Sequence, residues 1–170
     1  MAIRAPRTIE DATTEHCVDA IRRLVRGLRL AEQATRADSG LSAAQLFVLE
    51  QVATTPGASL GELAARTMTD RSSVAGVVER LAQGGMVETE RDEADRRRVI
   101  VRITRAGRAV LRQAPPAPTS LLVDALERLP VRARRELSAR LAQLVAEMGL
   151  DQEPVGMLFE DGQTGRGRER

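Results

Sequence analysis

Apolar residues recur at helical spacing along most of this chain, with one two-stranded interruption. The first stretch predicts a helix from about Ala12 to Ala37: Cys17, Ile21, Leu24, Leu28 and Ala31 share a face, while Arg22, Arg23, Arg26 and Arg29 take other positions. Asp38-Ser39-Gly40 ends it. Ser42-Ala43-Ala44-Gln45 has capping-box form and opens a helix whose stripe is Leu46, Leu49, Val52 and Ala53, broken at Thr54-Thr55-Pro56-Gly57. Ser59-Leu60-Gly61-Glu62 is a second capping box and starts a short helix through Arg66. Thr69 or Asp70 caps the next helix, Asp70 to Gln83, whose Val74, Val77, Val78 and Leu81 face inward; Gly84-Gly85 stops it.

From there the period falls to two. Met86 to Glu90 and Val99 to Thr104 read as strands, joined by a hairpin tip of Arg91-Asp92-Glu93-Ala94-Asp95-Arg96-Arg97-Arg98. Helix resumes from Arg105 to Gln113. Pro115, Pro116 and Pro118 interrupt it, because proline lacks the amide donor and disfavours helix in the residue before it. Helix returns from Thr119 to Leu129, breaks near Pro130 and runs again from about Val131 to Met148, with Leu137, Leu141, Leu144, Val145 and Met148 along it. The arm 1–10 and the Gly-, Glu- and Arg-rich tail from Asp151 read as loosely ordered. No internal repeat is visible.

Composition narrows the class. The chain has 170 residues, 42% of them apolar, and Phe47 and Phe159 are its only aromatics, so the core is built from Leu, Val, Ala and Ile. Net charge is +2 but the pI is about 9.8, because all 26 basic residues are arginine. A GC-rich genome explains the preference for arginine over lysine. Their placement is more telling: Arg91, Arg96, Arg97, Arg98, Arg102, Arg105 and Arg108 crowd the hairpin and its approaches, where local positive charge attracts phosphates. The lone Cys17 excludes a disulfide framework and a multi-cysteine metal site. There is no glycine-rich phosphate loop and no metal-ligand cluster, and His16 is the only histidine, so no catalytic residue, metal or cofactor is expected. No signal-peptide core or membrane span is apparent, which gives a cytoplasmic protein with no membrane partner as the expectation.

The order from Ser59 to Gly107 is helix, turn, helix, strand, charged hairpin, strand. It describes a mainly α fold with a small β-hairpin wing, a winged helix-turn-helix, in which one helix enters a DNA major groove and an arginine-tipped hairpin reaches the neighbouring minor groove. The flanking segments, 10–40 and 105–148, carry apolar stripes that the 41–104 module cannot cover alone. They are expected to interlock with those of a second copy as a discontinuous dimerisation domain, the alternative being a bundle within one chain.

Leu63-Ala64-Ala65-Arg66-Thr67, Asp70-Arg71-Ser72-Ser73-Val74, Val78-Glu79-Arg80-Leu81 and Gly85-Met86-Val87-Glu88 resemble the MarR family of bacterial transcription regulators. The wing's Asp95-Arg96-Arg97 and the closing Ile103-Thr104-Arg105-Ala106-Gly107 are its most specific part, and the likeness covers roughly residues 10 to 148. The resemblance implies a homodimer bound to a pseudo-palindromic double-stranded operator, usually as a repressor, and often released by a small amphipathic ligand or by oxidation. The chain departs from the family at Ala75-Gly76, where many members carry a polar or basic pair, at its proline cluster, and in lacking the aromatics that line many effector pockets.

The DNA-contacting candidates follow. Arg97 suits a narrow minor groove, with Arg96 beside it and Asp95 holding the arginine or the hairpin shape. Arg71 suits guanine or phosphate; Ser72 and Ser73 suit phosphate or base edges, or else cap their helix. Arg80 suits phosphate, or pairs with Glu79 or Asp70. Ser59 and Thr69 suit phosphates at helix N-termini. Leu46, Phe47 and Met68 are expected in the core, where they border any small-molecule cavity. Cys17 is read as a buried, inert thiol, with redox sensing the competing role. A winged-helix module that binds protein rather than DNA is the alternative function.

Overall fold

The computed structural model describes residues 11–92, 95, 98–152 and 156–159. Among them the order is α1 (Ala12–Ser39), α2 (Ala43–Thr54), β1 (Ala58–Ser59), α3 (Leu60–Thr67), α4 (Arg71–Gln83), β2 (Val87–Arg91), β3 (Val99–Ile103), α5 (Arg105–Gln113), α6 (Pro118–Arg128) and α7 (Val131–Glu147). The winged helix-turn-helix read from the sequence is therefore present.

Each boundary has a local cause. α1 ends at Gly40, whose φ of 71° is the left-handed conformation that glycine adopts without steric cost. Both capping boxes form: Ser42 exchanges hydrogen bonds with Gln45, and Ser59 with Glu62. Asp70, not Thr69, caps α4. Thr104 caps α5 by accepting from the Gly107 N–H at 3.0 Å, while its hydroxyl donates to the Gly85 carbonyl at 2.7 Å. Proline begins α6 one residue earlier than expected, at Pro118, the first-turn position where a missing N–H costs nothing.

The sheet holds one strand that the hydrophobic pattern does not reveal. β1 is two residues long and pairs antiparallel with β3, Ala58 opposite Val101, so the order is β1-β3-β2. β3 is thus central. Ile100 is buried along with Val101 and Ile103.

The core gathers Leu46, Leu49 and Val52 of α2, Leu63 of α3, Val74, Val77, Val78 and Leu81 of α4, and Val87 and Val101 of the sheet. Ala117 joins it from the start of α6, with Val110, Leu111 and Ala114 packed against it. Met157 joins this core from the segment read as a loose tail; residues 160–170 lie outside the described set. By contrast α7 buries none of its residues, and Ile21, Leu24 and Leu30 of α1 are exposed.

Candidate nucleic-acid interface

α3, a tight turn and α4 form the helix-turn-helix. Met68 takes a left-handed φ of 54° there, and the Thr69 N–H closes the turn onto the Ala64 carbonyl at 3.1 Å. α4 faces the core with its valines and Leu81. Arg71, Ser72 and Glu79 are left exposed, and Ala75, Gly76 and Arg80 half-buried.

Both helix N-termini are occupied by carboxylates. Asp70 accepts the Ser72 and Ser73 N–H groups at 2.8 and 2.9 Å, the Ser73 hydroxyl at 2.7 Å and the Ser72 hydroxyl. The two serine hydroxyls, then the Ser73 backbone, hold its carboxyl far below the usual aspartate range. In the free protein, then, Ser72 and Ser73 act as capping partners, and any contact to a groove would require them to leave Asp70 or to accept on a free lone pair. Glu62 gathers the Ser59 N–H at 2.7 Å, the Ser59 hydroxyl at 2.8 Å and Arg98 Nη2 at 2.9 Å on one oxygen. The Ser59 backbone and hydroxyl, then Arg98, lower its pKa. Ser59 is likewise engaged locally, while the Thr69 hydroxyl is buried and has no partner among the described residues.

The wing is the β2–β3 hairpin. Arg102 pairs with Glu90 at 2.8 Å, and Arg98 bonds Glu62 across to α3, so two of the clustered arginines are neutralised on the surface. The Arg98 link, between residues 36 apart, leaves no signal in the sequence. At the tip, the Arg98 N–H donates to the Asp95 carbonyl at 2.8 Å, and Asp95 is exposed. Arg96 and Arg97 lie outside the described residues.

Two expectations are corrected. Cys17 is exposed on α1, not buried, because no described residue packs on its face of α1. Met68, expected in the core, is 69% exposed, since the left-handed turn carries its side chain outward. With Phe47, Gln51 and Arg66 it borders an open cleft of about 320 Å³, closed on the far side by Val123 and Asp124 of α6. Leu46 is fully buried and does not line that cleft.

One junction was not expected at all. Glu50 of α2 accepts the Ala117 N–H at 2.8 Å and the Ser120 hydroxyl, and so caps α6, which has no cap of its own. It ties α2 to the helices that follow.

Comparison with known proteins places this geometry in company. The model of the MarR family matches residues 39–98. The HTH-type transcriptional regulator BilQ of Clostridium symbiosum is 35% identical over 75 residues, which are 44% of this chain; the match spans about half of that relative's length. The PcaV transcriptional regulator of Streptomyces coelicolor, solved with its natural ligand, is 26% identical with a TM-score of 0.55, covering 84% of this chain and 99% of that one. Sco3205 of the same organism, solved with DNA, shares the fold at 24% identity and a TM-score of 0.57, covering 91% and 98%.

Proposed function

From the match of residues 39–98 to the MarR family model, we propose that the chain is a member of that family, a homodimeric, sequence-specific DNA-binding transcription regulator acting as a repressor in the cytoplasm. α4 lies in the major groove of each half of a pseudo-palindromic operator, and the wing follows the backbone into the minor groove. Segments 10–40 and 105–148 pair with their copies; 41–104 reads.

The observation that carries this reading is the outer face of α4. It stands free of the core, with Arg71 exposed at its start, beside a hairpin whose residues Arg91 and Arg98 are exposed as well. The unpaired apolar faces of α1 and α7 support the dimer. At the wing we assign Arg97 to the minor groove, with Arg96 on phosphate and Asp95 shaping the tip. Arg71 takes phosphate or guanine, and Ser59, Thr69, Ser72 and Ser73 line the phosphate path. A small amphipathic effector in the cleft at Phe47 and Met68, with Leu46 behind, would wedge α3 away from α6 and change the spacing of the two reading heads.

Selection of bound fragments from random duplexes tests binding, symmetry and half-site spacing together. The expected product is an inverted repeat with half-sites about one helical turn apart. Arg97→Ala should weaken binding and reduce the salt slope by about one counterion. Binding indifferent to salt, with no symmetric sequence recovered, overturns the reading.

A further inference from the structure

α4 carries a glycine, Gly76, at its middle, where glycine lowers helix stability relative to alanine. Its φ is not positive, so no backbone conformation demands it. A Cβ at this position would meet one thing within 4 Å, Arg80 Nη1 at 3.9 Å. Arg80, one turn on, leans back toward the helix N-terminus across the bare backbone, as helical side chains do. A small residue at position 76 leaves it room.

Arg80 differs from other arginines of the module. Arg66 bonds Gln51 and Thr54, Arg98 bonds Glu62 and Arg102 bonds Glu90. Arg80 is half-buried; its Nε is shielded from solvent with no hydrogen-bond partner among the described residues. Neither Glu79 nor Asp70 is bonded to it: Glu79 has no bond among the described contacts, and the Asp70 carboxylate takes its donors from Ser72 and Ser73. Only Nε is withdrawn, so the terminal fork remains open. A guanidinium placed by packing, with no acid beside it, suits a planar pair of acceptors. Ala75 and Gly76, which carry no reading group, let the groove floor come close to it.

Resting on the reading of α4 as the groove-entering helix, we propose that Arg80, seated over Gly76, is a specificity-determining residue that forks onto O6 and N7 of one guanine in each half-site. It is a base reader and not a phosphate contact, and a residue no larger than alanine at position 76 leaves room for Arg80 to lie there.

The test is selection from random duplexes, with affinity and salt slope measured on the recovered site, for the full-length wild type and for Arg80→Lys, Gly76→Leu and Gly76→Ala. Arg80→Lys keeps the charge but not the fork. It should lose affinity for the selected site by roughly tenfold or more and lose one symmetric guanine preference, with the salt slope unchanged. Gly76→Leu, with Arg80 intact but unseated, should lose the same preference. Gly76→Ala should keep it, since 3.9 Å is ordinary contact. If Arg80→Lys or Gly76→Leu retains the wild-type profile and affinity, the proposal is overturned while the regulator reading stands. If the wild type itself selects no sequence, both fall.

Discussion

Gly107 stands where no side chain fits. A Cβ there would lie 2.3 Å from the Met86 carbonyl oxygen and 2.8 Å from Ile103 Cγ1. That carbonyl is held in place, because it accepts the Thr104 N–H at 3.0 Å. The Thr-x-x-Gly run that the sequence displays is thus a clamp between the start of α5 and the turn leading into β2. Gly107→Ala should destabilise the fold by about 1–3 kcal/mol or more through forced overpacking, seen as a lowered thermal midpoint. Gly84→Ala, whose Cβ would come no nearer than 3.5 Å to the Arg80 carbonyl, should show far less. Asp70 gives a residue-scale prediction in pH. Its carboxyl is depressed in the folded state by the serine hydroxyls. A depressed carboxylate contributes stability above its unfolded pKa and loses it as pH falls toward the folded value. The loss therefore begins below about pH 4, the ordinary aspartate value being 3.8. Asp70→Asn keeps a capping side chain without the titration. It should melt lower than wild type at neutral pH yet decline less steeply from pH 4 to pH 2; parallel curves would remove Asp70 from the acid response.

Between elements, Glu50 joins two parts of the chain that lie far apart in sequence. Removing it leaves the Ala117 N–H and the Ser120 hydroxyl without their acceptor in a part-buried site. Glu50→Ala should cost about 1–3 kcal/mol, the range for an unsatisfied group, and Glu50→Gln less, by denaturant titration. Equal stabilities would show that α6 needs no such cap. This junction also marks the limit of what sequence reveals. The capping boxes at Ser42 and Ser59, the Gly40 stop and the period change at Met86 are local events, decided within four residues, and each lies where the pattern puts it. β1 exists only because β3 offers an edge to pair with, and two residues carry no periodicity. Glu50 to Ala117 and Glu62 to Arg98 join positions whose proximity depends on the finished fold. The same holds at the candidate interface. Arg71 on the exposed side of α4 follows from helical spacing alone, whereas the engagement of Ser72 and Ser73 by Asp70 is a matter of rotamers. Cys17 fails for a third reason: its face of α1 is uncovered among the described residues, and a helical stripe does not say what covers it.

That missing surface is the question for the whole molecule. α7 shows Leu137, Leu141, Leu144 and Val145 to solvent, with Met148 just past its end, and α1 shows Ile21, Leu24 and Leu30. Burying one such side chain fully is worth about 1.5–3 kcal/mol, so a chain left alone forgoes a large part of the stabilisation its composition makes available. Arginines flank these faces, Arg22, Arg26 and Arg29 on α1 among them. Their long stems can cover apolar surface at the rim of an interface while the charged heads stay wet. A second copy offers the same stripes in twofold relation, which closes the assembly and leaves no further apolar face to propagate. In the proposed dimer, affinity for an operator comes from two modest reading heads held at a fixed separation, and the second contact is effectively intramolecular. Leu141→Asp with Leu144→Asp should therefore yield a folded monomer by sedimentation at concentrations where the wild type is dimeric. The core of the 41–104 module touches neither residue, so the far-ultraviolet spectrum should hold. Operator affinity should fall by roughly 10²–10⁴, and the salt slope should drop to about half, because half the phosphate contacts are gone. A variant that stays dimeric would move the interface away from α7. A monomer that binds the full operator as tightly as wild type would separate pairing from reading and remove the reason for the flanking helices to be apolar.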